Sequence, residues 1–176
     1  RLEWEGFLES LPRRGTRVPA VDPAVVRGLH RVRTALERQA ARLIVGAPVR
    51  DAEADLLGLA DAVEAVHRRS PERWRAEVAF HRRLVELAGC PVLLREVTRV
   101  LRLGLFHRIA ALQDAEGGAE APLGPESDHQ ALVRRLVAAG AADEADAIVR
   151  MHIGADKPWA EPDGGPAIEP HRETES

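Results

Sequence analysis

The run Asp22-Pro23-Ala24-Val25-Val26-Arg27-Gly28-Leu29-His30-Arg31-Val32-Arg33-Thr34-Ala35-Leu36-Glu37-Arg38-Gln39-Ala40-Ala41-Arg42-Leu43 decides the fold class. Asp22 offers a carboxylate to cap a helix, and Pro23 at the first helical position needs no N–H partner. Val26, Leu29, Val32, Leu36, Ala40 and Leu43 then recur at helical steps until Gly46, which makes one face of a long helix apolar. The pattern continues downstream and predicts helices over about 51–69, 71–88, 92–113, 125–139 and 142–153. Ser70-Pro71 opens the third of the six helices, Gly89-Cys90-Pro91 closes it, and Gly140 separates the last two. Amphipathic helices with short connections pack as an antiparallel bundle, so the expected class is all-α.

Composition agrees. The 176 residues include no Tyr, three Phe and three Trp, whereas a β-rich domain calls for more aromatic and β-branched residues. Lys plus Arg is 25 against Asp plus Glu 28, a net charge of −3, so the chain as a whole is not a polybasic nucleic-acid binder. The single cysteine, Cys90, excludes an internal disulfide and a cysteine-cluster zinc finger. Its place at a helix start allows a reactive thiol, but a small buried residue is the simpler reading. No apolar run is long enough to span a bilayer, and Arg1-Leu2-Glu3-Trp4-Glu5-Gly6 carries charges where a signal peptide is apolar. A cytoplasmic protein without a membrane partner is expected.

The two ends differ from the helical middle. Residues 8–19 form short extended runs around a Pro12–Gly15 turn, the pattern of a β-hairpin. Two strands alone are marginal, so this hairpin is expected to belong to a larger element. The expected division is a remnant of another module over 1–20, a helical domain over 21–154 and a disordered tail over 155–176.

Four residues suggest a metal site. Glu77 and His81 stand four apart on one helix and share a face. His129 lies 11 residues before Gly140 and His152 lies 12 after it. In an antiparallel hairpin both climb roughly 17 Å from the turn and end level. Each neighbours apolar positions, so one carboxylate and three imidazoles face inward, a donor set for a divalent zinc, nickel or manganese ion. The plainer reading of each histidine is a hydrogen-bonded core residue. Arg33, one turn before Glu37, is either an intrahelical salt bridge or an inward guanidinium that clamps a carboxylate.

A second pattern competes. Glu64-x-x-His67 and Glu126-x-x-His129, with Glu37 and Glu96, loosely mimic a di-iron carboxylate bundle and would make the protein an oxidoreductase. His67, however, is followed by the charged Arg68-Arg69-Ser70-Pro71. No Gly-x-Ser-x-Gly, phosphate-binding glycine loop or His-Glu-x-x-His occurs, so binding is favoured over catalysis.

Several motifs in order resemble the effector domain of GntR-type transcription regulators of the FadR-like subfamily, the FCD domain. They are Val32-Arg33-x-x-Leu36-Glu37-x-x-Ala40-Ala41, Glu77-x-x-Phe80-His81, Ser127-Asp128-His129 and Arg150-x-His152-Ile153. Residues 1–7 and Arg13-Arg14-Gly15-Thr16 resemble the end of a recognition helix and the wing of a truncated winged helix-turn-helix. The resemblance implies a ligand-responsive homodimer that binds operator DNA when complete. Arg13, Arg14, Gly15 and Thr16 would lie near the DNA backbone. It also implies a divalent metal on Glu77, His81, His129 and His152, with a small carboxylic-acid effector beside it and Arg33 as a candidate for the acid. Glu77 stands where the family usually has Asp; the extra methylene changes the reach of that ligand.

Overall fold

A computed structural model describes residues 6–11, 13, 15–17, 19–20, 22–67, 70–114 and 128–154. Two strands, β1 (Glu9–Leu11) and β2 (Gly15–Arg17), precede seven helices among the described residues. These are α1 (Pro23–Leu43), α2 (Ala47–Asp51), α3 (Glu53–Glu64), α4 (Pro71–Glu86), α5 (Pro91–Asp114), α6 (His129–Ala138) and α7 (Ala142–Ile153). The fold is the expected all-α bundle with a small hairpin at its N-terminal side. The expected recognition-helix end before Gly6, Arg14, Glu126, Ser127 and the tail after Gly154 lie outside the described residues, and the helix expected from about 125 begins at His129, because Asp128 is its extended cap.

Local chemistry sets the helix ends. Asp22 Oδ1 accepts from Ala24 N–H at 2.7 Å, and Ser70 Oγ accepts from Arg73 N–H at 3.1 Å, each just before a proline. Asp128 Oδ1 caps α6 through Ala131 N–H at 2.7 Å. In α7 the capping acceptor comes from within: Glu144 Oε2 accepts from Gly140 N–H at 2.9 Å. Gly154, at φ +75°, closes α7 in the left-handed region.

The second expected helix needs correction at both ends. Gly46, at φ +91°, stops α1, and Pro48 starts the separate turn of α2 before α3 begins. At the other end α3 stops at Glu64, short of the expected Arg69. The Arg73 guanidinium reaches back from α4 and donates to the carbonyls of Val63 and Val66 at 3.0 and 3.3 Å. It satisfies orphan acceptors that another helical turn would otherwise have used.

Helix α1 packs against α4, α5 and α7, while α3 packs against α4 and α6. The main core joins Ile44, Leu56, Val63, Phe80, Leu84, Leu132, Leu136 and Ile148. A second core, between α1, α4 and α5, holds Ala40, Val85, Leu93, Val97 and Leu101, with half-buried Cys90 against it. Salt bridges fix the helix pairs at the surface: Arg38 forks onto Asp146 at 2.8 and 2.7 Å, tying α1 to α7, and Arg83 binds Asp55 at 2.6 Å. The hairpin is antiparallel, with Ser10 opposite Thr16. Phe7 beside it meets Phe106 of α5 edge to face at 5.4 Å. No described helix is long and apolar enough to cross a membrane.

Candidate metal centre

Three of the four expected ligands converge. His81 comes from the middle of α4, His129 opens α6, and His152 lies in the last turn of α7. Their ring centroids stand 5.5 Å (His81–His129), 5.4 Å (His81–His152) and 4.8 Å (His129–His152) apart. One nitrogen from each ring lies within 4.8 Å of the others. The α6–α7 hairpin brings His129 and His152 level, as the residue count from Gly140 predicts. Phe80 packs edge to face on His81 and His129 at 5.2 and 4.8 Å and walls the cluster on the core side.

Helix α6 is anchored where His129 sits. The Glu64 carboxylate accepts from the His129 backbone N–H at 3.2 Å, and Asp128 caps the same turn. Asp128→Ala is expected to cost about 1 kcal/mol of stability through the lost cap. It should also weaken zinc binding by fraying the turn that carries His129. Denaturant unfolding and zinc titration check the pair, and unchanged values in both would refute it.

The electrostatics favour neutral imidazoles. Burial lowers the pKa of His129 to about 3 and of His152 to about 2, with His81 adding to both shifts. The Arg33 charge also lowers both values. Neutral imidazole is the metal-binding form. Both nitrogens of His129 and Nε2 of His152 are buried without a hydrogen-bond partner. A core histidine normally spends at least one nitrogen on a hydrogen bond. His129 does not.

The carboxylates fall differently from the expected set. Glu77 is half-buried, and its carboxylate stands 3.5 Å from Arg73 Nε, outside the group of converging nitrogens. The carboxylate that reaches the cluster is Glu37 of α1, which is fully buried. Its Oε2 lies 2.7 Å from His81 Nδ1, and its Oε1 accepts from Arg33 Nε at 2.6 Å. Burial by itself raises the Glu37 pKa, yet Arg33 and His81 together outweigh it and hold the carboxyl well below the usual range. Sequence reasoning placed Glu37 beside Arg33 but missed its bond to His81. The available signal was the helical step that puts Glu37 on the same buried face as Ala40 and Ala41.

The di-iron pattern does not assemble among the described residues. His67 is exposed, Glu64 is spent on the His129 backbone, and Glu96 pairs with Arg95 and Arg99. Of the described members of that set, Glu37 and His129 turn inward. At the hairpin tip Arg13, Gly15 and Thr16 are exposed.

Residues 29–155 match the FCD domain, and this stretch includes the three histidines and the Arg33–Glu37 pair. The chain belongs to the FCD-domain family. FCD domains are the effector-binding domains of GntR-family regulators. No curated protein and no solved structure matches the chain.

Proposed function

We propose that this FCD domain is the sensor of a GntR-type, FadR-like transcription regulator that holds one divalent metal ion and binds a small carboxylic acid. The supporting observation is the convergence of His81, His129 and half-buried His152, with both nitrogens of His129 and Nε2 of His152 buried and unpartnered. His81, His129 and His152 are the proposed nitrogen ligands. Glu77, one turn before His81, is the proposed carboxylate ligand, since both oxygens of Glu37 are already engaged. A bound zinc, nickel or manganese ion supplies positive charge and open positions for the oxygens of an acid.

The protein's own residues shape what enters. Phe80 keeps one side apolar, and Arg33, held to Glu37 at 2.6 Å, is the proposed partner of a second acidic group. The reading comprises a homodimeric helical domain over 21–154 and a wing carrying Arg13, Arg14, Gly15 and Thr16 that touches operator DNA in the complete protein. The acid regulates only if it binds two arrangements of the dimer unequally.

Metal content of chelator-free protein tests the reading. The wild type is expected to hold about one equivalent of zinc, nickel or manganese, and His152→Ala is expected to lose it. Organic acids should then raise the melting temperature of the loaded wild type alone. No metal uptake, with no stabilisation by any of the three ions, would overturn the metal site.

A further inference from the structure

We infer that Glu37 is a positioning residue, which holds the proton of His81 on Nδ1 so that Nε2 presents its lone pair to the cluster. The inference rests on the metal reading above for its purpose, but its geometry is independent of any ion. The Glu37 carboxylate accepts from Arg33 Nε at 2.6 Å through one oxygen and stands 2.7 Å from His81 Nδ1 through the other. A carboxylate paired with a guanidinium is an acceptor only, so the proton in the second bond belongs to Nδ1. With Nδ1 occupied by this bond, Nε2 is the ring nitrogen left to offer a lone pair. The same bond holds the ring plane, because His81 and Glu37 are both buried and on different helices, α4 and α1.

His129 is the contrast within the same cluster. Neither of its ring nitrogens has a hydrogen-bond partner, so nothing there selects between its tautomers. His81 is therefore the one ring of the three whose donor atom is set in advance by another side chain's carboxylate. The next residue on α1, Arg38, forks onto Asp146 of α7, the helix that carries His152. Adjacent residues of α1 thus anchor the helices that carry two of the three imidazoles. A merely structural ion pair would need the Arg33–Glu37 bond alone. The third member, His81, gives the pair its orienting role.

The test uses zinc alone and two variants. Arg33→Met with Glu37→Leu removes both charges and leaves no unpaired buried ion, and Glu37→Gln keeps the shape and an acceptor oxygen. Long-range nitrogen–proton spectra of histidine in the zinc-free chain read the tautomer, and competition with a chromophoric chelator reads zinc affinity. The wild type is expected to show His81 protonated on Nδ1. The double variant should show a mixture of tautomers and bind zinc about 10–100-fold more weakly. Glu37→Gln should retain the tautomer with a smaller loss of affinity, and this variant carries the zinc test if the double variant does not fold. An Nε2-protonated His81 in the wild type, or zinc affinity unchanged in both variants, overturns the inference. A tautomer that is locked in the wild type and released in the double variant, in a chain that takes up no zinc, supports the positioning role and sinks the metal reading instead.

Discussion

Acidifying the metal-free protein from pH 7 to about pH 4.5 is expected to remove about 5 kcal/mol of stability, from His129 and His152 alone. The folded pKa values, about 3 for His129 and about 2 for His152, lie below the ordinary 6.5 of an exposed imidazole. Below 6.5 the unfolded chain binds protons that the folded chain refuses, so stability falls as pH falls. The contribution is fully present above 6.5 and drains until the folded values are reached. Each ring gives a slope of about 1.4 kcal/mol per pH unit, and two units across two rings make the figure above. Glu37 adds to the loss at lower pH, because its folded pKa is also depressed, so its stabilisation is complete above the ordinary 4.5 and drains as pH falls below it. A domain of this size has about 5–15 kcal/mol in all, so this loss removes between about a third and all of it. Denaturant midpoints at pH 7, 6 and 5 measure the slope, and His129→Gln should roughly halve it. Zinc at a hundredfold excess over its Kd should restore about 2.7 kcal/mol. A midpoint that stays flat over this range would contradict the buried, neutral state of the rings.

Phe80→Ala is expected to cost about 3–5 kcal/mol, the range for emptying a fully buried aromatic site. Phe80 has no exposed surface and belongs to the main core with Leu84, Leu132 and Leu136. Its ring also rests against His81 and His129, so truncation removes the wall that holds two of the three imidazoles. Zinc affinity should therefore fall together with stability. Phe80→Leu keeps most of the volume and should cost much less in both. Urea unfolding followed by chelator competition checks the pair. A loss under about 1 kcal/mol from the alanine variant would mean that the core closes around the gap.

The cluster shows why some of the site was legible in the residues and some was not. His129 and His152 meet because a hairpin of two regular helices converts residue counts from Gly140 into equal heights. Nothing beyond helical periodicity is needed for that step. Glu77 shares a face with His81 for the same reason, but one shared face leaves open which way a long side chain turns. In the structure it stands beside Arg73, whose guanidinium also ends α3. Glu37 is the opposite case. Its neighbour Arg33 is on the same helix and can be found by counting, whereas His81 lies 44 residues away on a helix that α1 meets only after the bundle closes.

From the residue order alone come the all-α class, the caps at Asp22 and Ser70 and the inward place of Ala40, whereas Val26, Val32 and Leu43, expected on the same face of α1, are exposed. The class and the caps depend on near neighbours: Asp22 and Ser70 accept backbone bonds two or three residues on, and apolar residues recur at the helical period. The residue order also determined the level pairing of His129 with His152. The tertiary structure alone decided the early end of α3, the choice of Glu37 as the carboxylate on His81, and the anchoring of His129 by Glu64. Each of these is a contact between helices whose polar groups had several possible partners in the unfolded chain. Burial removes water as the alternative, and the geometry of packing then selects the one partner within reach.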